Sequence, residues 1–335
     1  MRYLLALAIW VCGCAAQAQG WEDRRVFGSE DATDTLRIIS STDTLFFAPL
    51  IESFLQGAPT VSVEYLVTST ADIDRIFRAA PGDFDVVVSS AMDLQLKLAN
   101  DGFARRLDQT GLPDWAQWRQ SLFAFTSEPA AIVINRAAFD GVPVPGTRQE
   151  LIRALRERPE LFRGRVGTYD VRRSGLGYLF ATQDARASDT FWRLMEVMGG
   201  LGARLYCCSG EMIDDLLTGE ILVAYNVLGS YAAARAETEA ALAIVLPSDF
   251  PTSMMRTAMV SGAAPQPELA AAFVAHLIRE QSAGSGALPL PPLGSQGERS
   301  QRATIALEPA LMTYLDALKR RAFLEEWENA VIQDP

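Results

Sequence analysis

Three short polar stretches carry the residue types suited to holding a small charged molecule. The first is Ser40-Ser41-Thr42-Asp43-Thr44, after the apolar run Leu36-Arg37-Ile38-Ile39. The second is Ser89-Ser90, after Phe84-Asp85-Val86-Val87-Val88. The third is Arg172-Arg173-Ser174-Gly175, after Val166-Gly167-Thr168-Tyr169. Each stands between a strand-like and a helix-like segment. Hydroxyls and free backbone N–H groups at a helix start suit an anion. In the third stretch a glycine allows close backbone approach, a serine caps the helix, and a guanidinium can grip an oxyanion with two parallel bonds. The bland alternatives are ordinary Ser/Thr capping and a solvated basic loop. Two turns of one type at the ends of two strands say more than either alone, because ligands of open α/β sheets sit at the carboxyl ends of strands.

The elements positioning these turns read as repeated strand–turn–helix units. Leu45 to Leu55 has apolar residues at helical spacing, Val61 to Val67 alternates like a strand, and Ala71 to Ala79 and Met92 to Asn100 read as helices. Further strands are expected at Ala130–Asn135, Val166–Tyr169, Ile221–Tyr225, Leu242–Leu246 and Thr257–Val260, with helices between them. Residues 19–34 read as a polar, acidic lead-in at the mature N-terminus, with no strand or helix assigned. Residues 282–302 are rich in Gly, Ser and Pro and read as a loop. Leu307 to Asn329 reads as a closing helix whose role stays open, a brace for the first half of the fold being one reading. The fold class is therefore α/β.

Composition narrows the function. The 335 residues are 49% hydrophobic and 21% charged, enough for one large or two modest cores, and the formal net charge is -11. That sign disfavours a diffuse nucleic-acid interface. Only Lys97 and Lys319 are lysines, so an arginine at any one place is weak evidence in this chain. His276 is the sole histidine, inside an expected helix, and reads as structural or surface. With one histidine, no Gly-x-Ser-x-Gly elbow, no H-E-x-x-H and no phosphate-binding P-loop, the common hydrolase and nucleotide chemistries lack their parts. No catalytic residue, cofactor site or metal site is expected. Met254-Met255 reads as packing, and Lys319-Arg320-Arg321 as a solvated helix face.

The amino terminus reads as a secretion signal. Arg2 precedes the apolar run Tyr3–Val11, and Ala16-Gln17-Ala18 fits a small-x-small cleavage site. Cleavage after Ala18 is expected, giving residues 1–18 as a signal peptide and a periplasmic product. Val11-Cys12-Gly13-Cys14 offers a poorer lipid-anchor alternative at Cys14. Cleavage leaves the adjacent pair Cys207-Cys208, which an oxidising compartment can close into a vicinal disulfide or leave as two reduced cysteines at a strand end; both readings stand open.

The order of the pieces resembles the type II periplasmic solute-binding proteins of ABC transporters, within them the ferric-ion and phosphoglycerate-type branch. The stretches carrying the resemblance are IISSTDTLFFAPLIESF, FDVVVSSAMDLQLKLANDG, EPAAIVINR, YDVRRSGLGYLFA, SGEMIDDLLTGEILVAYNVLGSYA and LPSDFPTSMMRTAMVSGAAPQPELAAAFVAHLI, spread over nearly all of residues 35–280. The resemblance implies two lobes closing on ligand in a cleft: lobe one at 35–125 plus 245–300, lobe two at 126–244, and a C-terminal helical segment at 301–335. It implies ligand contacts from Ser41, Thr42, Ser89 and Ser90 in lobe one. From lobe two it implies Arg172, Arg173, Ser174, Gly175, Ser209, Asn226 and Tyr231, with one of the two arginines facing the cleft. Ferric-ion binders typically carry two adjacent tyrosines in the second lobe. Here the stretch runs from Tyr225-Asn226 to Ser230-Tyr231 without such a pair, favouring a phosphorylated or carboxylated organic solute over iron. The expected partners are the small-molecule ligand and an ABC permease, for a monomeric chain. A membrane sensor kinase in place of the permease, and a ferric ion in place of the organic solute, are the alternatives. An exported enzyme is the competing class.

Overall fold

The structure is a computed structural model describing residues 20–108, 111–283, 289–293 and 303–333. The expected signal peptide and Cys14 lie outside the described residues, as does most of the Gly/Ser/Pro-rich stretch. The chain forms two sheets. In chain order the strands are β1 (Asp23–Gly28), β2 (Asp34–Ser40), β3 (Val61–Val67), β4 (Val86–Ser89), β5 (Gln117–Trp118), β6 (Leu122–Ala124), β7 (Glu128–Asn135), β8 (Val166–Tyr169), β9 (Arg204–Tyr206), β10 (Val223–Leu228), β11 (Leu242–Val245), β12 (Ser253–Met254) and β13 (Thr257–Val260). The helices are α1 (Thr44–Gln56), α2 (Thr70–Ala79), α3 (Met92–Asn100), α4 (Arg148–Glu157), α5 (Pro159–Phe162), α6 (Gly175–Ala187), α7 (Thr190–Gly200), α8 (Ser209–Thr218), α9 (Gly229–Ala236), α10 (Pro267–Ala283) and α11 (Ala317–Val331).

Sheet one has the order β1-β3-β2-β4-β13-β6-β5, with β2 parallel to both β3 and β4 and the other pairings antiparallel. Sheet two has the order β11-β7-β10-β8-β9, parallel at β10-β8-β9 and antiparallel at β7. The chain passes from sheet one to sheet two between β6 and β7. It returns through β12, which lies antiparallel along the start of β7, Ser253 opposite Pro129 and Met254 opposite Glu128. The two crossings therefore run side by side.

Every residue of β3 and β4 is buried, as a strand covered on both faces requires. The lead-in departs from expectation. Asp23–Gly28 is an edge strand, in register with β3 from Asp23 opposite Val67 to Gly28 opposite Ser62. Its residues are mostly exposed, so no apolar alternation marked it. The apolar core follows the sheets. One cluster holds Ile38, Phe47, Val87 and Phe273, the other Val133's neighbour Ile134 together with Leu155, Leu194 and Tyr225. The C-terminal segment divides between them. Leu311, in the 3-10 helix Pro309–Leu315, belongs to the first cluster, whereas Phe323, Trp327 and Val331 of α11 belong to the second. The segment thus straps both halves rather than bracing the first alone. Gly199 of α7 permits its close docking, since a Cβ there would sit 2.2 Å from the Ala330 carbonyl oxygen. Met254 and Met255 are fully buried, and Trp115 and Trp118 pack against the first core.

Candidate ligand cleft

Helix starts from both sheets converge on one cavity of about 220 Å³. Sheet one contributes the turns opening α1 (Ser41, Asp43), α2 (Ser69, Thr70) and α3 (Ser90); sheet two contributes those opening α6 (Ser174) and α8 (Ser209, Gly210), with Leu228 and Tyr231 at the start of α9. The local sequence explains two of these starts by a capping serine. Ser69 accepts from the Asp72 N–H at 3.1 Å while its hydroxyl reaches the Asp72 carboxylate at 2.9 Å, a reciprocal cap. Ser174 accepts from the Gly177 N–H at 3.1 Å. Gly177 allows α6 to start against Tyr169, because a Cβ there would meet the Tyr169 Cβ at 2.3 Å. Each helix start presents partial positive charge, and six pointed at one space make a field for an anion without any full cation.

The two halves touch at this cavity. Thr70 Oγ1 accepts from the N–H groups of Gly175, at 2.9 Å, and Leu176, at 3.2 Å. The Asp43 N–H donates to the Tyr231 hydroxyl at 3.2 Å, and the Tyr231 ring stacks on Phe46 with centroids 4.2 Å apart. Ser41 Oγ accepts from the Ser90 N–H at 3.2 Å, tying the first two serine turns together. Tyr169 and Ser209 share a hydroxyl–hydroxyl bond of 2.5 Å, and Ser209 Oγ accepts from the Leu228 N–H at 3.1 Å. Burial drives the Tyr169 and Tyr231 phenols well above their ordinary pKa, so both stay protonated.

Of the residues expected at the site, Ser41, Ser90, Ser174, Ser209 and Tyr231 line the cavity. Thr42 and Ser89 stand behind the wall: Thr42 Oγ1 accepts from Arg256 at 2.6 Å, and Ser89 Oγ accepts from the Ala91 N–H at 3.1 Å. Gly175 acts through its N–H on Thr70.

Arg172, Arg173 and Asn226 are not among the lining residues. The Arg172 guanidinium is held by Asp170, with Nε–Oδ1 and Nη2–Oδ2 both 2.8 Å, and faces Glu328; it lines a separate cavity with Arg78, Lys97 and Arg320. Arg173 is exposed. The carboxylate that claims Arg172 stands two residues earlier in the sequence, a competitor that the basic character of the loop obscured. Asn226 takes a left-handed φ of 65° where the β10–β7 register shifts, a conformation asparagine tolerates, and donates to Asp184 at 2.9 Å in the interior of sheet two. Arg148 completes that network against Asp184, Asp249 and the Tyr225 hydroxyl.

Several lining residues gave no sequence signal. Glu22 immediately precedes β1, Cys207 and Cys208 precede α8, and Glu211 and Asp214 lie within the first two turns of α8. Cys207 and Cys208 are joined as a vicinal disulfide, with Glu211 Oε2 3.5 Å from Cys207 Sγ. Beneath the cavity lies Arg256, two residues past the end of β12. It is fully buried, donates to Glu128 at 2.6 and 3.2 Å, and lies 5.6 Å from the Tyr231 ring centroid. Ser230 also donates to Glu128.

Solved structures share this arrangement over nearly the whole chain. A substrate-binding protein of an ABC transporter from Agrobacterium tumefaciens is 33% identical, with a TM-score of 0.85 over 92% of this chain and 98% of that one. The chain belongs to the substrate-binding proteins of ABC transporters. It has the two-lobed periplasmic-binding-protein fold, each sheet forming a lobe and the cavity lying between them. More distant structures share the fold alone. AfuA of Actinobacillus pleuropneumoniae, solved with fructose 6-phosphate, has a TM-score of 0.73 at 14% identity over 90% of this chain and 100% of its own. Iron-bound HitA of Pseudomonas aeruginosa has a TM-score of 0.67 at 12% identity over 88% and 99%. No protein-family model and no curated protein matches the sequence. Membership makes this an extracytoplasmic solute-binding protein, and no helix among the described residues is long and apolar enough to cross a membrane.

Proposed function

We propose that the protein captures a small phosphorylated or carboxylated organic solute between its lobes in the periplasm, as a monomer released by cleavage after Ala18, and delivers it to an ABC permease. The lobes divide where β6 passes to β7 and β12 passes to β13. Ligand contacts to both lobes favour the closed state. The observation that carries this reading is the convergence of helix starts with unspent hydroxyl protons. Among the described residues, the hydroxyls of Tyr231 and Ser174 each accept one bond and have no acceptor for their own proton. An oxyanion supplies the missing acceptor. In the chain without a metal, burial holds both cleft tyrosines in the protonated form, able to donate to an oxyanion.

A thermal-shift screen of the mature chain tests the reading. The panel is sugar phosphates, phosphorylated three-carbon acids, dicarboxylates, inorganic phosphate and ferric citrate. A ligand that binds only the folded state raises the melting temperature by mass action. We expect a shift with an organic phosphate or carboxylate. Tyr231→Phe should lower that ligand's affinity by about 10- to 150-fold, the worth of one hydrogen bond to a charged group. A shift with ferric citrate alone refutes the solute class and leaves the fold assignment intact.

A further inference from the structure

The cleft floor offers donors, but its mouth carries carboxylates. Glu22 and Asp43 enter from lobe one, Glu211 and Asp214 from lobe two, and no lysine, arginine or histidine is among the lining residues. Asp214 is paired with Arg235. Glu22, Asp43 and Glu211 have no ion-pair partner among the described residues. Lobe-two Glu211 is close enough to lobe-one Glu22 to help raise the Glu22 carboxyl, after burial, Asp43 and Asp72. A plain anion entering this cleft adds negative charge to a mouth that already holds it on both sides. Drawing the lobes together would then sharpen the repulsion between Glu22 and Glu211.

Resting on the oxyanion reading above, we propose that the solute is a small zwitterion. Its phosphate or carboxylate sits among the helix starts, and a primary ammonium group lies between Glu22 and Asp43 of one lobe and Glu211 of the other. Two independent features ask for the two ends. The unspent protons of Tyr231 and Ser174 ask for an acceptor, and the unpartnered carboxylates ask for a cation. The ammonium also gives the lobes a reason to close, because it turns a repulsion between them into an attraction shared by both. Size fits: about 220 Å³ lies below the roughly 300–1,000 Å³ of sites for drug-sized ligands, so the molecule is a few carbons long.

Titration calorimetry of the mature chain with a matched set tests this: O-phosphoethanolamine, ethyl phosphate, glycerol 3-phosphate and ethanolamine. The first two differ only in the amine. We expect phosphoethanolamine to bind at least about fivefold tighter than ethyl phosphate, the sum of two part-exposed charge pairs. In Glu22→Gln/Glu211→Gln the ratio should fall towards one; both positions are exposed, so the fold survives the change. Ethyl phosphate or glycerol 3-phosphate binding as tightly as phosphoethanolamine overturns the zwitterion and leaves the oxyanion reading standing. Ethanolamine binding as tightly as phosphoethanolamine overturns both. A preference that appears only with added Mg²⁺ overturns the ammonium and puts a metal in its place. Absence of binding by all four probes counts against both.

Discussion

Removing one member of the Arg256–Glu128 pair should cost more than removing both. Glu128 opens β7 and Arg256 lies two residues past the end of β12, so the pair spans the two crossings; both residues are fully buried. Glu128→Leu leaves the Arg256 guanidinium in the interior with only the 2.6 Å bond to Thr42. Arg256→Met leaves the Glu128 carboxylate with only hydroxyl partners, Thr126 at 3.0 Å and Ser230. A buried charge stripped of its partner costs about 3–5 kcal/mol, while an intact buried pair is often no better than apolar residues of similar volume. In the double variant no buried charge is stranded, and the remaining loss is that of the buried hydroxyls on Thr42, Thr126 and Ser230, about 1–3 kcal/mol for each one left unsatisfied and shared in part by each single. Urea unfolding of the four chains measures this through the midpoint and slope. The expected order of stability is wild type, then the double variant, then either single. A double variant as unstable as the sum of the two singles refutes the reasoning. The pair also seats the cleft, since Thr42 and the Tyr231 ring both rest on Arg256. Ligand affinity should therefore stay low in the double variant even where stability returns.

Three further outcomes are expected. Burial pushes the Asp93 carboxyl up to about 7, and its Oδ1 has no hydrogen-bond partner among the described residues. The folded chain thus keeps a proton that the unfolded chain, near pKa 3.9, releases; the stability this provides is full below about pH 4 and lost as pH rises through 7. Asp93→Asn should leave the melting temperature unchanged at pH 4 and raise it above wild type at pH 8, and parallel pH profiles for the two chains would contradict the assignment. Arg172→Ala should change ligand affinity by less than about threefold, because its guanidinium is committed to Asp170 outside the cleft; a larger loss by calorimetry would return that arginine to the site. Alkylation of the denatured mature chain should label no cysteine without reductant and both Cys207 and Cys208 after it, read by mass spectrometry, and a labelled unreduced chain would break the disulfide assignment.

The fold was legible because its signals are local. The buried run Val86-Val87-Val88, the helical spacing from Leu45, and the polar turns between strands and helices each follow from chain-local rules, and their order carried the family resemblance. Part of the cavity wall was legible for the same reason: polar turns at strand ends hold Ser41, Ser90, Ser174 and Ser209, which all line it. What stayed hidden depends on distant pairing. Nothing near Arg256 in sequence announces Glu128, which comes into contact only when the two crossings lie together. Arg172 drew attention as a free cation, but its competitor Asp170 neutralises it. Glu22 reaches the cleft only because β1 adds to the edge of sheet one, a pairing of backbones that its exposed side chains do not advertise.

The absence of a lysine, arginine or histidine among the lining residues fits the task of a carrier. A binding protein must hold its solute and then surrender it at the membrane. A guanidinium on the ligand would give a strong bond that depends on one side chain. Helix starts divide the same stabilisation among many partial charges, each worth about 0.3–1 kcal/mol and fading within the first turn. Half of those helix starts belong to each lobe: α1, α2 and α3 on one side, α6, α8 and α9 on the other. When the lobes part, one set withdraws and the field at the ligand falls by roughly half without any buried ion pair having to break. The buried guanidinium groups stay where they do not touch the solute. Arg256 remains bound to Glu128 beneath the floor and Arg148 to Asp184 inside lobe two, and both pairs fix the walls in place through each cycle of capture and release.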